Sequence, residues 1–333
     1  MQVLEKLSQQ STANLPLPFK EKSLIFAPME GITDIHYRET ILENYPEWDF
    51  VATDFLRAPS VGPYPVKHVL KHYGKSSYED PEKQRKTIYQ MLTTEDALTE
   101  DTVSKIRGLG FKWLDLNLGC PSKTVCKHRG GSFLLSDLQA LRKVIKTIRS
   151  HFPHTFTAKI RVGYKDDTLF KDILRLLEDE GVDAITIHAR TRDEMYKGVA
   201  KWEYVKTAVE TVKTPIVGNG DIWTVEDIKR YFEYTKCHSV MIARGALKTP
   251  WLARLYRSGM LDNQELRAQE IKRYYRSYFE RIDKLDMEEL KKIRRLKAIS
   301  RYIFDDLDDG EQKKRSFLLS KTREDMFSIL DSL

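Results

Sequence analysis

Short apolar runs recur along most of the chain, and segments with the apolar spacing of amphipathic helices separate them. Eight of the runs have the length and composition of buried strands, at residues 24–28, 50–53, 87–91, 113–117, 157–161, 184–188, 215–219 and 239–243. Amphipathic segments lie between most of them, as at 96–108, 136–150, 168–180 and 224–234. Eight strand–helix units over about 240 residues match a (β/α)8 TIM barrel, an α/β fold, in number and length. A doubly wound parallel sheet is the alternative, because the pattern alone does not show closure.

The alternation of strands and helices stops near Gly259. The segment 261–333 contains no strand candidate, and it carries helical spacing over 262–283, 286–304 and 311–330. This pattern predicts an appended helical bundle. We therefore divide the chain into an N-terminal extension, a barrel domain and a C-terminal all-α helical domain, at residues 1–20, 21–258 and 259–333.

Composition places the 333-residue chain among soluble globular proteins, with 41% hydrophobic and 32% charged residues. Lys and Arg number 56 against 49 Asp and Glu, and the net charge of +7 suits a polyanionic partner, although an ordinary solvated surface also shows a mild excess. Three cysteines are too few for a disulfide framework, which fits a reducing, cytoplasmic setting. No apolar run approaches the roughly 20 residues of a membrane span, and residues 1–20 lack the apolar core of a secretion signal.

Polar side chains follow nearly every predicted strand. The carboxyl ends of barrel strands meet at one rim, where enzymes of this fold build their active sites. A barrel with a purely structural role has no need to concentrate hydrogen-bonding groups there. The sequence therefore predicts a polar ligand at this rim, among Glu30, Asp54, Arg57, Gln90, Asn117, Lys159, Arg161, His188, Asn219, Asp221 and Arg244.

The loops after the last two strands have the character of a phosphate site. Asn219-Gly220-Asp221 and Ala243-Arg244-Gly245 place glycines where backbone can approach an anion, and Arg244 adds charge and planar donors. Barrels commonly bind phosphate with these two loops. The alternative is that the glycines serve only tight turns.

The loop 117–132 holds a cysteine at a strand end in a basic, glycine-rich setting, and three interpretations of Cys120 compete. It could bind zinc with Cys126 and His128, although no close Cys-x-x-Cys pair and no fourth ligand accompany them. It could be a nucleophile, with His128 as a distant candidate base. It could also be an acid, because a thiol with an ordinary pKa of about 8.5 stays mostly protonated at neutral pH. Cys126 and Cys237 are better explained as bystanders.

Six segments occur in order and at consistent spacing, at 27–34, 117–131, 159–161, 187–191, 219–222 and 244–247. Together they resemble the tRNA-dihydrouridine synthase family over residues 24–250, and the Asn-x-Gly-Cys-Pro-Ser loop beginning at Asn117 is the most specific of them. Pro28-Met29-Glu30-Gly31 and the segment 53–57 are most similar to the bacterial synthase C branch. Ala243 departs from the pattern, since many members carry glycine there, and this affects how closely the backbone would approach a phosphate.

The resemblance implies an FMN cofactor at the barrel mouth, with NADPH as its reductant. The residues implied at the flavin ring and its polar edge are Pro28, Met29, Glu30, Gln90, Lys159 and His188. Those implied at the ribityl phosphate are Asn219, Gly220, Asp221, Ala243 and Arg244. Lys159 makes chemical sense there, because a cation near the N1–C2=O edge stabilises an anionic reduced flavin.

The implied reaction is reduction of the C5=C6 bond of a D-loop uridine in tRNA, at position 16 for the C branch. Flavin N5 gives a hydride to C6, Cys120 protonates C5, and the base must leave the folded RNA to be reached. Asn117, Arg161 and Tyr196 are the candidates for holding the base or its sugar. By resemblance, positions that orient tRNA are Arg57, Arg295, Lys297, Tyr302 and Lys321. We expect a monomer with tRNA and NADPH as partners, and no metal.

The segment 291–301 holds six basic residues and no acid. Its ordinary explanation is a solvated helix face, but a helical domain beside the barrel mouth could use it to contact RNA phosphates. One alternative function is an FMN-dependent barrel oxidoreductase for a small molecule such as a free pyrimidine, which would have no use for this segment. Another is a tRNA-binding module without catalysis, which the presence of Cys120, Lys159 and Arg244 disfavours.

Overall fold

The computed structural model describes residues 17–333, and its centre is a closed barrel of parallel strands. The strands are β1 Leu24–Phe26, β2 Phe50–Ala52, β3 Leu56–Arg57, β4 Thr87–Leu92, β5 Trp113–Leu118, β6 Thr155–Arg161, β7 Ala184–His188, β8 Ile216–Asn219 and β9 Ser239–Ile242. Strand β1 pairs with both β2 and β9, which closes the cylinder and excludes the doubly wound alternative. The predicted (β/α)8 barrel is therefore confirmed.

The second position in the barrel is shared by two short strands. Residues of β2 pair with Thr87 and Ile88 at the start of β4, and residues of β3 pair with Met91 and Leu92 at its end. The segment between β2 and β3 is not paired as strand, and it carries Asp54 to the open end of the barrel. The nine strands thus occupy the eight positions that the apolar pattern predicts.

The barrel interior changes from apolar to polar along its axis. Phe19 stacks on Trp113 with ring centroids 5.1 Å apart and closes the amino end together with Phe50. One level higher, the inward side chains of neighbouring strands are Gln90, Asp115 and Thr157. The predicted N-terminal extension lies mostly outside the described residues, but its last part, from residue 17, contributes to this closure.

Helices surround the barrel, and most of them bury apolar residues against it. They are α1 Ile35–Asn44, α2 Val66–Tyr73, α3 Lys75–Glu79, α4 Pro81–Lys86, α5 Thr99–Gly108, α6 Lys123–Lys127, α7 Leu138–His151, α8 Phe170–Asp179, α9 Glu203–Thr211, α10 Val225–Thr235, α11 Arg244–Lys248 and α12 Leu252–Ser258. Side-chain caps fix several starts, as where Thr224 and Asp227 form a capping box at α10. The four amphipathic segments predicted between strands correspond to α5, α7, α8 and α10.

Four further helices form the C-terminal region, α13 Gln264–Asp283, α14 Glu289–Ala298, α15 Gly310–Leu319 and α16 Arg323–Asp331. The predicted helix 286–304 ends at Ala298, and turns follow it. The predicted helix 311–330 is divided, because the Thr322 side chain accepts a hydrogen bond from Asp325 N and starts a new helix. Gly259, where we placed the domain boundary, ends α12 in the left-handed conformation, with φ 72°.

The C-terminal helices pack directly on the barrel. The ring of Tyr37 in α1 contacts the edges of Tyr274 and Tyr278 in α13, with centroids 6.0 and 6.1 Å apart. Arg281 of α13 pairs with the buried carboxylate of Glu39 at 2.5 Å. Across residues 17–333 we find no helix with the length and apolar character that a bilayer crossing requires.

Candidate active site

A cavity of about 490 Å³ opens at the carboxyl end of the barrel, a volume typical of small-molecule sites. All eleven residues predicted to bind the cofactor line it, as do Cys120 and the predicted substrate residues Asn117, Arg161, Tyr196 and Tyr302. The cavity also has walls that the sequence analysis did not assign, chiefly Phe55 and Trp223. The sequence could have indicated both residues, because Phe55 directly follows Asp54 and Trp223 follows the Asn219-Gly220-Asp221 loop.

Four predicted tRNA contacts lie outside this cavity. Arg57 is half-buried at the end of β3, and Lys321 is exposed between α15 and α16. Arg295 donates from Nη1 to Asp34 Oδ2 at 2.6 Å, and Lys297 donates from Nζ to the Ser320 carbonyl at 2.6 Å. The structure therefore gives Arg295 and Lys297 partners within the protein.

The basic segment 291–301 is less open than its sequence suggests. Lys292 also has a partner within the protein, as Arg295 and Lys297 do. It is buried, and it donates to the Asp283 carboxylate at 2.8 Å. Arg301, by contrast, is exposed and lines the cavity mouth beside Tyr302. Helical spacing alone does not show this division, because the partners lie on other elements.

Cationic groups converge on the cavity floor. Lys159 points inward from β6, and its ammonium makes no hydrogen bond or ion pair within residues 17–333. Burial, with Arg161 nearby, lowers the pKa of Lys159 to about 8. Burial and the same two cations lower the pKa of His188 well below its ordinary value, so its imidazole is neutral at neutral pH. The floor therefore favours an anionic group.

The two loops proposed for phosphate are held together by one carboxylate. Asp221 accepts from Arg190 Nη2 at 2.6 Å, from Arg244 Nη2 at 2.7 Å and from Ala200 N at 2.7 Å. Gly245 packs so tightly that a Cβ there would stand 2.1 Å from the Ile222 carbonyl oxygen. The glycine thus permits close approach of the two loops, and Arg244 is fixed at the cavity wall.

The loop after β5 presents Cys120 to the cavity. The Asn117 side-chain oxygen accepts from Gly119 N at 3.0 Å and from Cys120 N at 2.9 Å, which shapes the turn. Gly131, with φ 57°, approaches Cys120 so closely that a Cβ there would stand 3.2 Å from the Cys120 Cβ. Burial raises the pKa of the Cys120 thiol, so the thiol keeps its proton at neutral pH.

The other interpretations of Cys120 find little in this geometry. Within residues 17–333, no cluster of three or more His, Cys, Asp or Glu side chains is placed to hold a metal ion. The Cys126 sulfur faces the Ser132 hydroxyl at 3.6 Å, and His128 is exposed at the end of α6. A protonated thiol at the wall of a ligand cavity is suited to donate a proton.

Comparison with known families decides the class of protein. A model of the family "Dihydrouridine synthase (Dus)" matches residues 25–327. The chain belongs to the dihydrouridine synthase family. Dihydrouridine forms when the C5=C6 bond of uridine is reduced, so this dihydrouridine synthase is an oxidoreductase.

Individual relatives agree with this assignment. The chain is 33% identical over 240 residues to the tRNA-dihydrouridine(16) synthase of Shewanella oneidensis, covering 71% of this chain and 75% of the relative. It is 35% identical over 235 residues to the protein of the same name from Pseudomonas syringae pv. tomato, covering 69% and 73%. Matches of this extent are consistent with the predicted C branch.

One solved structure supports the fold alone. The histamine dehydrogenase from Rhizobium sp. 4-9 superposes on this synthase with a TM-score of 0.52 at 12% identity. The match covers 71% of this chain and spans slightly under half, 45%, of that longer protein.

Proposed function

We propose that this chain is an FMN-dependent tRNA-dihydrouridine synthase that reduces the uridine at position 16 of the D-loop, with NADPH as reductant. The observation that carries the proposal is that a protonated thiol, Cys120, and an unpaired cation, Lys159, line one cavity at the barrel mouth. The names of the relatives from Shewanella oneidensis and Pseudomonas syringae support uridine 16 as the target. We propose a monomer, with residues 21–258 as the catalytic domain and 259–333 as the tRNA-binding domain.

The residues present fit FMN. An ammonium without a protein partner on the floor suits the electron-rich edge of a flavin, and Gln90 lines the same cavity. Arg244 and the close-packed backbone at Gly220 and Gly245 suit a phosphate. When bound, FMN supplies the hydride that reaches C6 of uracil. The residues that would hold it are Pro28, Met29, Glu30, Gln90, Lys159, His188, Asn219, Gly220, Asp221, Ala243 and Arg244.

Cys120 supplies the proton in this proposal. Hydride addition at C6 leaves negative charge at C5 and on the C4 oxygen, and protonation at C5 completes the saturated base. A thiol that stays protonated at neutral pH can give this proton without first acquiring one. Asn117, Arg161 and Tyr196 line the same cavity and would hold the base or its sugar, and donors at the base oxygens would assist the addition.

The mouth of the cavity suits a large substrate. Tyr196 is 55% exposed, and Arg301 and Tyr302 reach the cavity from the C-terminal helical region. A base extruded from RNA could enter here, while the rest of the RNA contacts both domains. We propose Arg57, Tyr302 and Lys321 as direct tRNA contacts, and Arg295 and Lys297 as contacts that also keep their protein partners.

The proposal is tested with purified protein, NADPH and an unmodified tRNA transcript. We expect dihydrouridine at position 16, mapped by mass spectrometry of ribonuclease fragments. Free uridine and uracil are run in parallel, with Cys120→Ala as the inactive control. Reduction of a free pyrimidine but not of tRNA would replace the proposal with the small-molecule oxidoreductase.

A further inference from the structure

A buried carboxylate lies beneath the candidate active site and does not itself line the cavity. Asp115 points into the barrel from β5, two residues before Asn117, and only 2% of its surface is exposed. Its oxygens accept from Gln90 Nε2 at 2.8 Å and from Thr157 Oγ1 at 2.6 Å. The register explains this contact, because Gln90 and Thr157 are the residues paired with Asp115 on the two neighbouring strands.

The contact with Asp115 determines how the side-chain amide of Gln90 is oriented, and Gln90 in turn determines how that of Asn117 is oriented. Burial raises the pKa of Asp115, while its two hydrogen bonds and the nearby Lys159 ammonium favour the ionised form. The geometry shows Asp115 accepting both hydrogen bonds, from the Gln90 amide nitrogen and the Thr157 hydroxyl, so the Gln90 amide turns its NH₂ toward Asp115. Its Oε1 then accepts from Asn117 Nδ2 at 2.8 Å, and this leaves the Asn117 oxygen to accept from the backbone of Gly119 and Cys120. Once the carboxylate is in place, the donor and acceptor ends of Gln90 and Asn117 are each fixed.

We infer that Asp115 is a positioning residue whose carboxylate sets the polarity of the Asp115–Gln90–Asn117 chain and thereby holds the Cys120 loop in its reactive conformation. This inference rests on the proposed role of Cys120 as the proton donor. The chain acts on the peptide N–H of Cys120, whereas nothing in it touches the sulfur, so its effect is on where the thiol stands. Gln90 accordingly has two functions, one toward the cavity and one toward the loop.

Substitution of the carboxylate by an amide tests the polarity. In Asp115→Asn, the introduced amide can turn its NH₂ toward Gln90. The side-chain amides of Gln90 and then of Asn117 must turn over in response. The Asn117 NH₂ then faces the backbone N–H groups of Gly119 and Cys120, donor against donor. If the NH₂ faces Thr157 instead, the Thr157 hydroxyl, which also accepts from Trp113 Nε1 at 3.0 Å, loses the acceptor for its proton. Either arrangement leaves at least one donor without an acceptor, which is costly in a dry interior.

A second substitution restores the acceptor. In the double variant Asp115→Asn, Gln90→Glu, the carboxylate stands at position 90, where it accepts from the amide introduced at position 115 and from Asn117. The oxygen of the introduced amide accepts from Thr157. The carboxylate has thus moved one position along the chain, and the orientation of Asn117 is recovered. A role in volume or general stability predicts no such recovery, because all of these variants keep the wild-type number of heavy atoms at both positions.

Two assays are run on the isolated holoenzyme. One gives kcat and KM with tRNA, and the other gives the rate at which iodoacetamide alkylates Cys120, followed by peptide mass spectrometry. For Asp115→Asn we expect kcat to fall at least about tenfold with little change in KM, and the alkylation rate to change several-fold. The double variant should recover the wild-type alkylation rate and part of kcat. Glu39→Gln is the matched control, because it removes an equally buried carboxylate that contacts Arg281 and Ser77 outside the cavity.

Wild-type kcat and alkylation rate in Asp115→Asn would overturn the inference and leave the proposed function intact. Absence of dihydrouridine in tRNA with wild-type protein would instead contradict the proposed function. The alkylation rates would still show whether the Asp115–Gln90–Asn117 hydrogen bonds position Cys120. If Asp115→Asn does not fold, the double variant must fold and restore the reactivity of Cys120, and failure of both variants would overturn the inference.

Discussion

Arg244 donates a hydrogen bond from Nη2 to the Asp221 carboxylate at 2.7 Å, and this contact joins the loops that follow β8 and β9. Asp221 also receives the buried guanidinium of Arg190 at 2.6 Å, so one carboxylate balances two cations. The guanidinium of Arg244 is thereby held between the rings of Trp223 and Tyr196, 5.1 and 5.4 Å from their centroids. Its placement at the cavity wall depends on Asp221.

Asp221→Ala should weaken flavin binding. Loss of the carboxylate releases Arg244 from its position and leaves Arg190 buried without its ion-pair partner. We expect the Kd for FMN to rise at least about tenfold, measured by quenching of flavin fluorescence on titration with cofactor-free protein. Asp193→Ala is the control, because Asp193 pairs with Arg192 away from the cavity. Equal FMN affinity in wild type and Asp221→Ala would remove this loop from the phosphate site.

Cys120→Ala should separate cofactor chemistry from proton transfer. The variant is expected to retain FMN and its reduction by NADPH, which is measured by bleaching of the visible absorbance of the oxidised flavin. Formation of dihydrouridine in tRNA should fall about 100-fold or more, the usual contribution of a general acid. Cys237→Ala is the matched control, since this thiol is buried outside the cavity. Normal turnover by Cys120→Ala would show that another group protonates C5.

Lys159 makes a pH-dependent contribution to the stability of the cofactor-free protein. Its folded pKa of about 8 lies below the ordinary value of 10.5, so the unfolded chain binds more protons between these two values. The free energy of unfolding contributed by this residue therefore rises as pH increases from about 8 to about 10.5. We expect wild type to gain stability relative to Lys159→Met over this range, measured by urea denaturation at several pH values. A constant difference between the two proteins would contradict the burial of a charged ammonium.

Loss of Arg301 should affect tRNA binding alone, whereas loss of Arg295 should affect both tRNA binding and stability. Arg301 is exposed at the cavity mouth and makes no ion pair within residues 17–333, so Arg301→Ala should weaken tRNA binding and reduce the salt slope by about one. Arg295→Ala breaks the pair with Asp34, which joins α14 to the barrel, and should lower Tm by a few degrees at most, since half-exposed pairs contribute about 0–1 kcal/mol. Filter binding at several salt concentrations and calorimetry measure the two effects. A wild-type salt slope in Arg301→Ala would place the RNA elsewhere.

The apolar pattern was sufficient to predict the number and order of the barrel positions, because the eight predicted strands are almost entirely buried and are bounded by polar residues. It left closure of the sheet open. It also brought Lys159, His188 and Arg244 to one rim, since strand ends of a closed barrel must meet there. The break in the predicted helix 286–304 was not visible, because turns with buried apolar residues such as Ile303 and Phe304 keep the same composition as a helix.

The hydrogen-bond partners could not be predicted. The chain from Asp115 to Cys120 requires the register that pairs Gln90 with Asp115, and sequence spacing within one strand does not contain it. In the same way, Arg295 meets Asp34 across 261 positions of the chain. A basic segment therefore shows charge but not which of its charges are free to bind RNA.

Mapping dihydrouridine in tRNA from cells that lack this protein is the decisive measurement for the proposed function. We expect the modification at position 16 to disappear and to return when the wild-type protein, but not Cys120→Ala, is expressed again. Dihydrouridine at other positions should remain. A tRNA pool that keeps full modification at position 16 in the absence of the protein would contradict the assignment of this uridine to this enzyme.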